Sequence, residues 1–157
     1  MSRVQLALNV GNLEEAIAFY TKLFGTGPAK TREGYANFAI ADPPLKLVLI
    51  AGGGTPGSLN HLGVEVEDTG LVQEATLRFQ ALGLPIEAQE QTSCCFAVQD
   101  KVWVQGPETA WEFYTVLADA PDMACMPTAC NPGGSDSEAS APTPLKVGAD
   151  STSSPCC

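Results

Sequence analysis

The chain has 157 residues, a formal net charge of −10, six cysteines and one histidine. That length suits one domain, or two half-domains sharing a core, and an apolar share of 45 % can fill it. No run approaches the ~20 apolar residues of a membrane span. The start, Met1-Ser2-Arg3, lacks the charged-then-apolar layout of a signal peptide. The acidic balance disfavours nucleic acid and anionic lipid as partners, because both need a basic face. A cytoplasmic protein is expected, with its cysteines as reduced thiols rather than a disulfide framework.

In chain order, Gln5-Leu6-Ala7-Leu8-Asn9-Val10 alternates apolar and polar residues and predicts a strand. Asn12 is a helix cap, and Leu13, Ile17, Tyr20 and Phe24 recur at helical spacing up to Gly25. Strands are predicted over residues 36–40 and 45–50. Gly52-Gly53-Gly54-Thr55-Pro56-Gly57 reads as a linker, since it lacks the Lys-Ser/Thr and strand-to-helix setting of a phosphate loop. The pattern then repeats at an offset of 56: His61-Leu62-Gly63-Val64-Glu65-Val66 matches the first strand, and Asp68 is the cap. A second helix follows with Leu71, Ala75, Phe79 and Leu82 as its apolar face, stopping at Gly83. Strands are predicted over residues 95–99, 101–104 and 111–117.

The expected fold class is α+β: two tandem βαβββ units, residues 1–54 and 58–119, forming a curved mixed sheet around a cleft. Composition changes near Ala120. The remaining 38 residues have no aromatic side chain and hold six of the twelve prolines. Asp122, Asp136, Glu138 and Asp150 against Lys146 give them −3 of the charge. A disordered tail is expected over residues 120–157. Cys125, Cys130, Cys156 and Cys157 lie on it, outside any expected core, and are candidate accessory thiols that capture soft metals.

The repeat places Gln5 and His61 at equivalent positions on the first strand of each unit. A lone histidine is by default a surface or satisfied core residue, but its symmetry mate is another neutral donor. Glu112 stands among Trp111, Phe113 and Tyr114, near the position of Lys46 in the first unit. It either sits on a solvated face or is buried with a partner. Gln5, His61 and Glu112 together would make a mixed N/O ligand set with open positions, suited to Fe(II), Mn(II), Ni(II) or Zn(II). Cys94-Cys95 are too close for an easy disulfide, but form a soft-ligand pair.

A ligand on each unit's first strand and a glutamate on the last strand resemble the vicinal oxygen chelate superfamily, which includes glyoxalase I, extradiol dioxygenases and fosfomycin-resistance enzymes. Several runs look like its ArsI-type carbon–arsenic lyase group: Tyr35-Ala36-Asn37-Phe38, Pro43-Pro44-Leu45-Lys46-Leu47, Leu59-Asn60-His61-Leu62-Gly63, Cys94-Cys95-Phe96-Ala97-Val98-Gln99-Asp100-Lys101 and Trp111-Glu112. A cadmium-induced relative shares much of this pattern. The resemblance covers residues 2–118. It implies a non-haem iron, dioxygen-dependent enzyme that cleaves the carbon–arsenic bond of trivalent organoarsenicals, methyl or aromatic. Gln5, His61 and Glu112 would hold Fe(II), with dioxygen as co-substrate, and Cys94 and Cys95 would bind arsenic.

Arsenic chemistry fits two adjacent thiols, which displace both hydroxyls of a monomethyl arsenous acid. A regular strand would point Cys94 and Cys95 to opposite faces, so a turn or bulge is required there. Residues 86–95 are expected to form a mobile loop that closes over the metal. A glyoxalase I-like isomerase and a non-enzymatic cadmium- or arsenic-binding protein are the alternatives. A monomer and a homodimer are both compatible with the sequence.

Overall fold

The computed structural model of the chain describes residues 1–121. The alternating run at its start forms strand β1 (Arg3–Val10). Asn12 then caps helix α1 (Leu13–Phe24), its side chain accepting from the Glu15 amide. Gly25 ends the helix at φ 67°, a conformation that its missing Cβ permits. Strands β2 (Lys30–Arg32), β3 (Tyr35–Ile40) and β4 (Leu45–Ala51) follow. The second half repeats the order with β5 (Leu59–Glu65), α2 (Thr69–Ala81), β6 (Ile86–Cys94), β7 (Ala97–Gln105) and β8 (Ala110–Asp119). Asp68 caps α2 by accepting from the Leu71 amide.

All eight strands form one curled mixed sheet in the order β2-β3-β4-β1-β5-β8-β7-β6. Within each half the first and last strands run parallel, β1 with β4 and β5 with β8. The halves join through an antiparallel β1–β5 ladder, in which Ala7 faces His61 and Gln5 faces Gly63. These are one pairing seen from either unit, so the repeat offset read from sequence is also the pseudo-symmetry of the sheet. The α+β fold of two βαβββ units is therefore as expected.

The two helices cover one face of the sheet. Ile17, Tyr20 and Phe24 of α1 pack with Leu6, Leu8 and Val10 over Phe38, Leu47 and Leu49. Val72, Ala75 and Phe79 of α2 pack on Val102 and Phe113. Each large apolar side chain so buried contributes about 2 kcal/mol. The alternate residues of β1, namely Gln5, Ala7 and Asn9, are buried on the opposite, concave face.

Three expectations change. The buried stripe of α2 is Val72-Ala75-Phe79, while Leu71 and Leu82 are exposed. Residues 97–105 are one strand, not two. Residues 86–94 are strand β6 rather than a loop, paired with β7 on both sides of an irregularity between Gln89 and Thr92. At that irregularity Gln91 takes a φ of 46°, and its N–H donates to the buried Asp100 carboxylate at 2.8 Å. The two strands absent from the sequence reading, β2 and β6, are the sheet edges, where few side chains need be apolar.

Between β6 and β7, Cys94 pairs with Ala97 and leaves Cys95-Phe96 as a two-residue turn. Both central residues have positive φ, 51° and 62°, as the right-handed twist of a hairpin demands. Neither is glycine or asparagine, so the turn carries strain that its surroundings offset. The Phe96 carbonyl accepts from Lys30 Nζ at 3.1 Å and from the Ala120 N–H at 3.0 Å. Its ring packs 5.6 Å from that of Tyr35. The tip of the second unit's hairpin is thereby pinned to the first unit.

Glu65 ties four central strands together. Its Oε1 accepts from Arg3 at 2.8 Å, and its Oε2 faces Lys46 Nζ and the Tyr114 hydroxyl, each at 2.8 Å. Burial alone would raise this carboxyl, but the Lys46 ammonium, the Tyr114 hydroxyl and Arg3 outweigh it and hold the group below its ordinary value of 4.5. A carboxyl depressed in the folded state adds stability that is complete above its unfolded value and is lost as pH falls. The Glu65→Gln variant should therefore be less stable than the parent by roughly 1 kcal/mol at neutral pH, after allowing for solvent screening. Thermal unfolding at a series of pH values should show this difference shrinking as pH falls below about 5. A difference that stays constant into acid would remove Glu65 from the charge network.

Candidate functional site

Gln5 on β1, His61 on β5 and Glu112 on β8 meet on the concave face, all buried. Gln5 Nε2 lies 2.9 Å from His61 Nε2 and 2.5 Å from Glu112 Oε1. His61 Nε2 lies 3.2 Å from Glu112 Oε1. Gly63 makes this convergence possible, since it pairs with Gln5 on one side and Glu112 on the other. A Cβ there would stand 2.9 Å from Glu112 Cγ and 3.3 Å from Gln5 Cβ.

Of the two readings of Glu112 left open by sequence, the buried and paired one holds. Lys101 Nζ lies 3.1 Å from its Oε2, and both side chains are almost fully enclosed. Burial pushes the carboxyl up, yet the Lys101 ammonium beside it prevails and holds it well below the usual carboxylate range. Tyr114, two residues on and on the same face of β8, is buried against the Glu112 and Glu65 carboxylates. Burial and those two charges push its phenol well above the ordinary tyrosine value, so it stays a hydroxyl donor.

Counting protons shows what this pocket can hold. The Tyr114 hydroxyl touches two acceptors, Gln5 Oε1 and Glu65 Oε2, with one proton to give. Turning the Gln5 amide end for end resolves this, because its NH₂ would donate to Tyr114 and Tyr114 to Glu65. The same turn brings the Gln5 carbonyl oxygen to the point shared by the His61 ring nitrogen and Glu112 Oε1. Three lone-pair atoms facing one point would fit a cation between them. An amide oxygen, an imidazole nitrogen and a carboxylate suit a divalent first-row transition metal. Among the described residues no three of His, Cys, Asp and Glu cluster, so a metal here would need the amide as its third donor.

Tyr35, Lys46, Val48, Cys95, Gln99 and Lys101 complete the pocket wall. In register, Ala7 faces Val48 as Gly63 faces Glu112, so the counterpart of Glu112 is Val48 and not Lys46. Lys46 lies one alternation away and serves Glu65. The first unit thus offers no second carboxylate. The Gln99 amide oxygen is buried without a hydrogen-bond partner among the described residues. The Cys94 and Cys95 sulfurs are 3.7 Å apart, because the left-handed turn at Cys95 breaks the strand alternation that would separate them. Cys125, Cys130, Cys156 and Cys157 lie outside the described residues.

Sequence reasoning missed Tyr35, Gln99, Lys101 and Tyr114. A signal existed for three of them: Gln99 and Lys101 alternate with Trp103, whose ring stands edge-on 5.4 Å from His61. Tyr114 follows Glu112 at the same period. Tyr35 is brought in by β3 alone and carried no pattern of its own.

Comparison with known proteins places this geometry in a family. The model for the Glyoxalase/Bleomycin resistance protein/Dioxygenase superfamily matches residues 3–111. A protein of Thermomonospora curvata named trivalent organoarsenical cleaving enzyme is 56 % identical over 158 aligned residues, covering 96 % of this chain and 99 % of that one. A protein of Mycobacterium tuberculosis named cadmium-induced protein CadI is 59 % identical over 128 residues, covering 81 % of this chain and 84 % of that one. The solved structure of an extradiol ring-cleaving dioxygenase from B. fuscum shares the fold, with a TM-score of 0.55 and 21 % identity over 75 % of this chain and 33 % of that one. The chain is a member of the Glyoxalase/Bleomycin resistance protein/Dioxygenase superfamily.

Proposed function

We propose that this chain is an enzyme that cleaves the carbon–arsenic bond of trivalent organoarsenicals, with Gln5, His61 and Glu112 holding Fe(II) and with Cys94 and Cys95 holding arsenic. The observation that carries the proposal is the shared pocket: Cys95 lines the same cavity as Gln5, His61 and Glu112, with the Cys94 sulfur 3.7 Å from its own. The 56 % identity to a protein named for this activity supports it. The likeness to the cadmium-induced protein does not oppose it, since soft-metal binding by paired thiols is common to both readings.

The residues divide the work. In their thiol form, Cys94 and Cys95 replace the two hydroxyls of a monosubstituted arsenous acid and leave its carbon facing the pocket. The strained turn fixes both sulfurs on one side, and the contacts of Phe96 with Lys30 and Tyr35 hold that turn over the cavity. Lys101 keeps Glu112 an anion and leaves its other oxygen for a ligand. Tyr114 and Glu65 orient the Gln5 amide. Bound iron would supply activation of dioxygen. The balance closes without an outside reductant, since methylarsonous acid and dioxygen contain the atoms of arsenous acid and formaldehyde. The methyl carbon then loses the four electrons that dioxygen takes up, and arsenic stays trivalent.

Two measurements test this reading. Anaerobically loaded with Fe(II), the protein should consume dioxygen on addition of methylarsonous acid and release arsenite in equal amount. The Cys94→Ser, Cys95→Ser double variant should lose at least about 100-fold in turnover while still binding metal. Turnover at the parent rate would refute the thiol assignment. Separately, Glu112→Gln should weaken Fe(II) or Co(II) binding by roughly 10–100-fold or more in anaerobic calorimetry. Unchanged binding there would place the metal elsewhere.

A further inference from the structure

The glycine-rich linker between the two units has no part in the site as described so far, and neither has Asn9, a polar side chain buried on the concave face of β1. Four contacts join them to His61. Ser58 Oγ lies 2.6 Å from the Thr55 carbonyl oxygen. Asn9 Nδ2 lies 2.9 Å from Ser58 Oγ, and Asn60 Nδ2 lies 2.9 Å from Asn9 Oδ1. Asn60 Oδ1 lies 2.7 Å from His61 Nδ1.

The direction of this chain is forced from its far end. A carbonyl oxygen only accepts, so the single Ser58 proton goes to Thr55. Ser58 Oγ is then an acceptor towards Asn9, which must present its NH₂. That turns Asn9 Oδ1 towards Asn60, which must present its own NH₂. Asn60 Oδ1 is therefore what His61 meets, and an amide oxygen also only accepts. Reversing Asn9 would set acceptor against acceptor at Ser58 and donor against donor at Asn60, and reversing Asn60 would set acceptor against acceptor at Asn9.

We propose that the Thr55–Ser58–Asn9–Asn60 hydrogen-bond chain is a tautomer lock, which places the His61 proton on Nδ1 and turns the bare Nε2 lone pair into the pocket. These are positioning residues, none of which lines the pocket itself. Gln5 Nε2 stands 2.9 Å from His61 Nε2, so this side of the ring faces the cluster with Glu112. The linker glycines close the lock. A Cβ on Gly54 would stand 2.7 Å from Asn9 Nδ2, and one on Gly53 would stand 2.9 Å from Asn9 Oδ1. The linker backbone also clasps Asn9, whose N–H donates to the Ser58 carbonyl at 2.9 Å and whose C=O accepts from the Gly57 N–H at 2.8 Å. The lock stands on these contacts alone, while its effect on metal affinity rests on the metal reading above.

His61 is the only histidine in the chain, so one spectrum reads the lock directly. Metal-free protein labelled with ¹⁵N-histidine, held above the usual imidazole titration range near ~6.5, should show a pyrrole-type shift at Nδ1 and a pyridine-type shift at Nε2. Asn60→Leu should give the opposite pattern or an average, and should weaken Co(II) binding by roughly 10–100-fold. Ser58→Ala, which breaks the lock far from the ring, should move the spectrum in the same direction, and Ser58→Thr, which keeps the hydroxyl, should not. A parent protein with its proton on Nε2, or Asn60→Leu and Ser58→Ala variants that fold and keep the parent spectrum, would overturn the lock. A parent that shows the Nδ1–H pattern, loses it in both variants and yet binds no metal would uphold the lock and refute the metal reading.

Discussion

The β1–β5 ladder is the contact on which the site depends. Each βαβββ unit alone offers one inward donor at the start of its first strand, Gln5 or His61. Neither unit alone brings Gln5 and His61 together. Antiparallel pairing of β1 with β5 sets Gln5 opposite Gly63 and Ala7 opposite His61, so the two donors lie diagonally across one ladder. The next strand, β8, runs parallel to β5 with Glu112 beside Gly63. The third donor thus arrives at a position where no side chain intervenes. A one-residue slip of β1 against β5 would turn Gln5 to the helix-covered face and abolish the cluster.

Symmetry supplies the frame, and departures from symmetry supply the chemistry. Glu112 has Val48 as its counterpart, so a single carboxylate enters the cavity from the sheet. The second unit's hairpin, at Cys95-Phe96, is pinned across the cleft, and the first unit contributes the groups that pin it: Lys30, Arg32 and Tyr35. The mouth of the pocket is consequently built by both units although the cysteines belong to one. Burying Glu112 is costly without compensation. Lys101 meets that demand on one oxygen and leaves the other facing Gln5 and His61.

Much of this was legible in the sequence because it was repeated. Two strand–cap–helix passages at one offset gave both units, their joining and the equivalence of Gln5 with His61. Edge strands β2 and β6 were not legible, because a strand with one neighbour and few buried side chains has no apolar alternation to read. The α2 face was misread by one residue because Leu71 and Leu82 are apolar but exposed, while the smaller Val72 and Ala75 do the packing. Lys101 could not have been assigned to Glu112 from spacing, since their contact depends on the β7–β8 register. The need for a turn at Cys94-Cys95 was legible, but the left-handed backbone that meets it was not, because neither Cys95 nor Phe96 is a residue that favours it.

The two donors are also held in opposite ways, and the difference has a chemical reason. Asn9 and Glu65 are equivalent positions of the repeat. On the Gln5 side stands Glu65 with Arg3, Lys46 and Tyr114, a charged network. On the His61 side stands Asn9 with Asn60 and Ser58, a neutral one. An amide gains no proton from charged neighbours, so ion pairs can orient Gln5 without changing what it is. The Glu112 carboxylate already stands beside His61 Nε2, and a second one at Nδ1 would bury another negative charge against the same ring. Amides and a hydroxyl ending on a linker carbonyl set the direction of the ring without that penalty. The glycines that let the linker close on Asn9 are thus as much a part of the site as the residues that face its cavity.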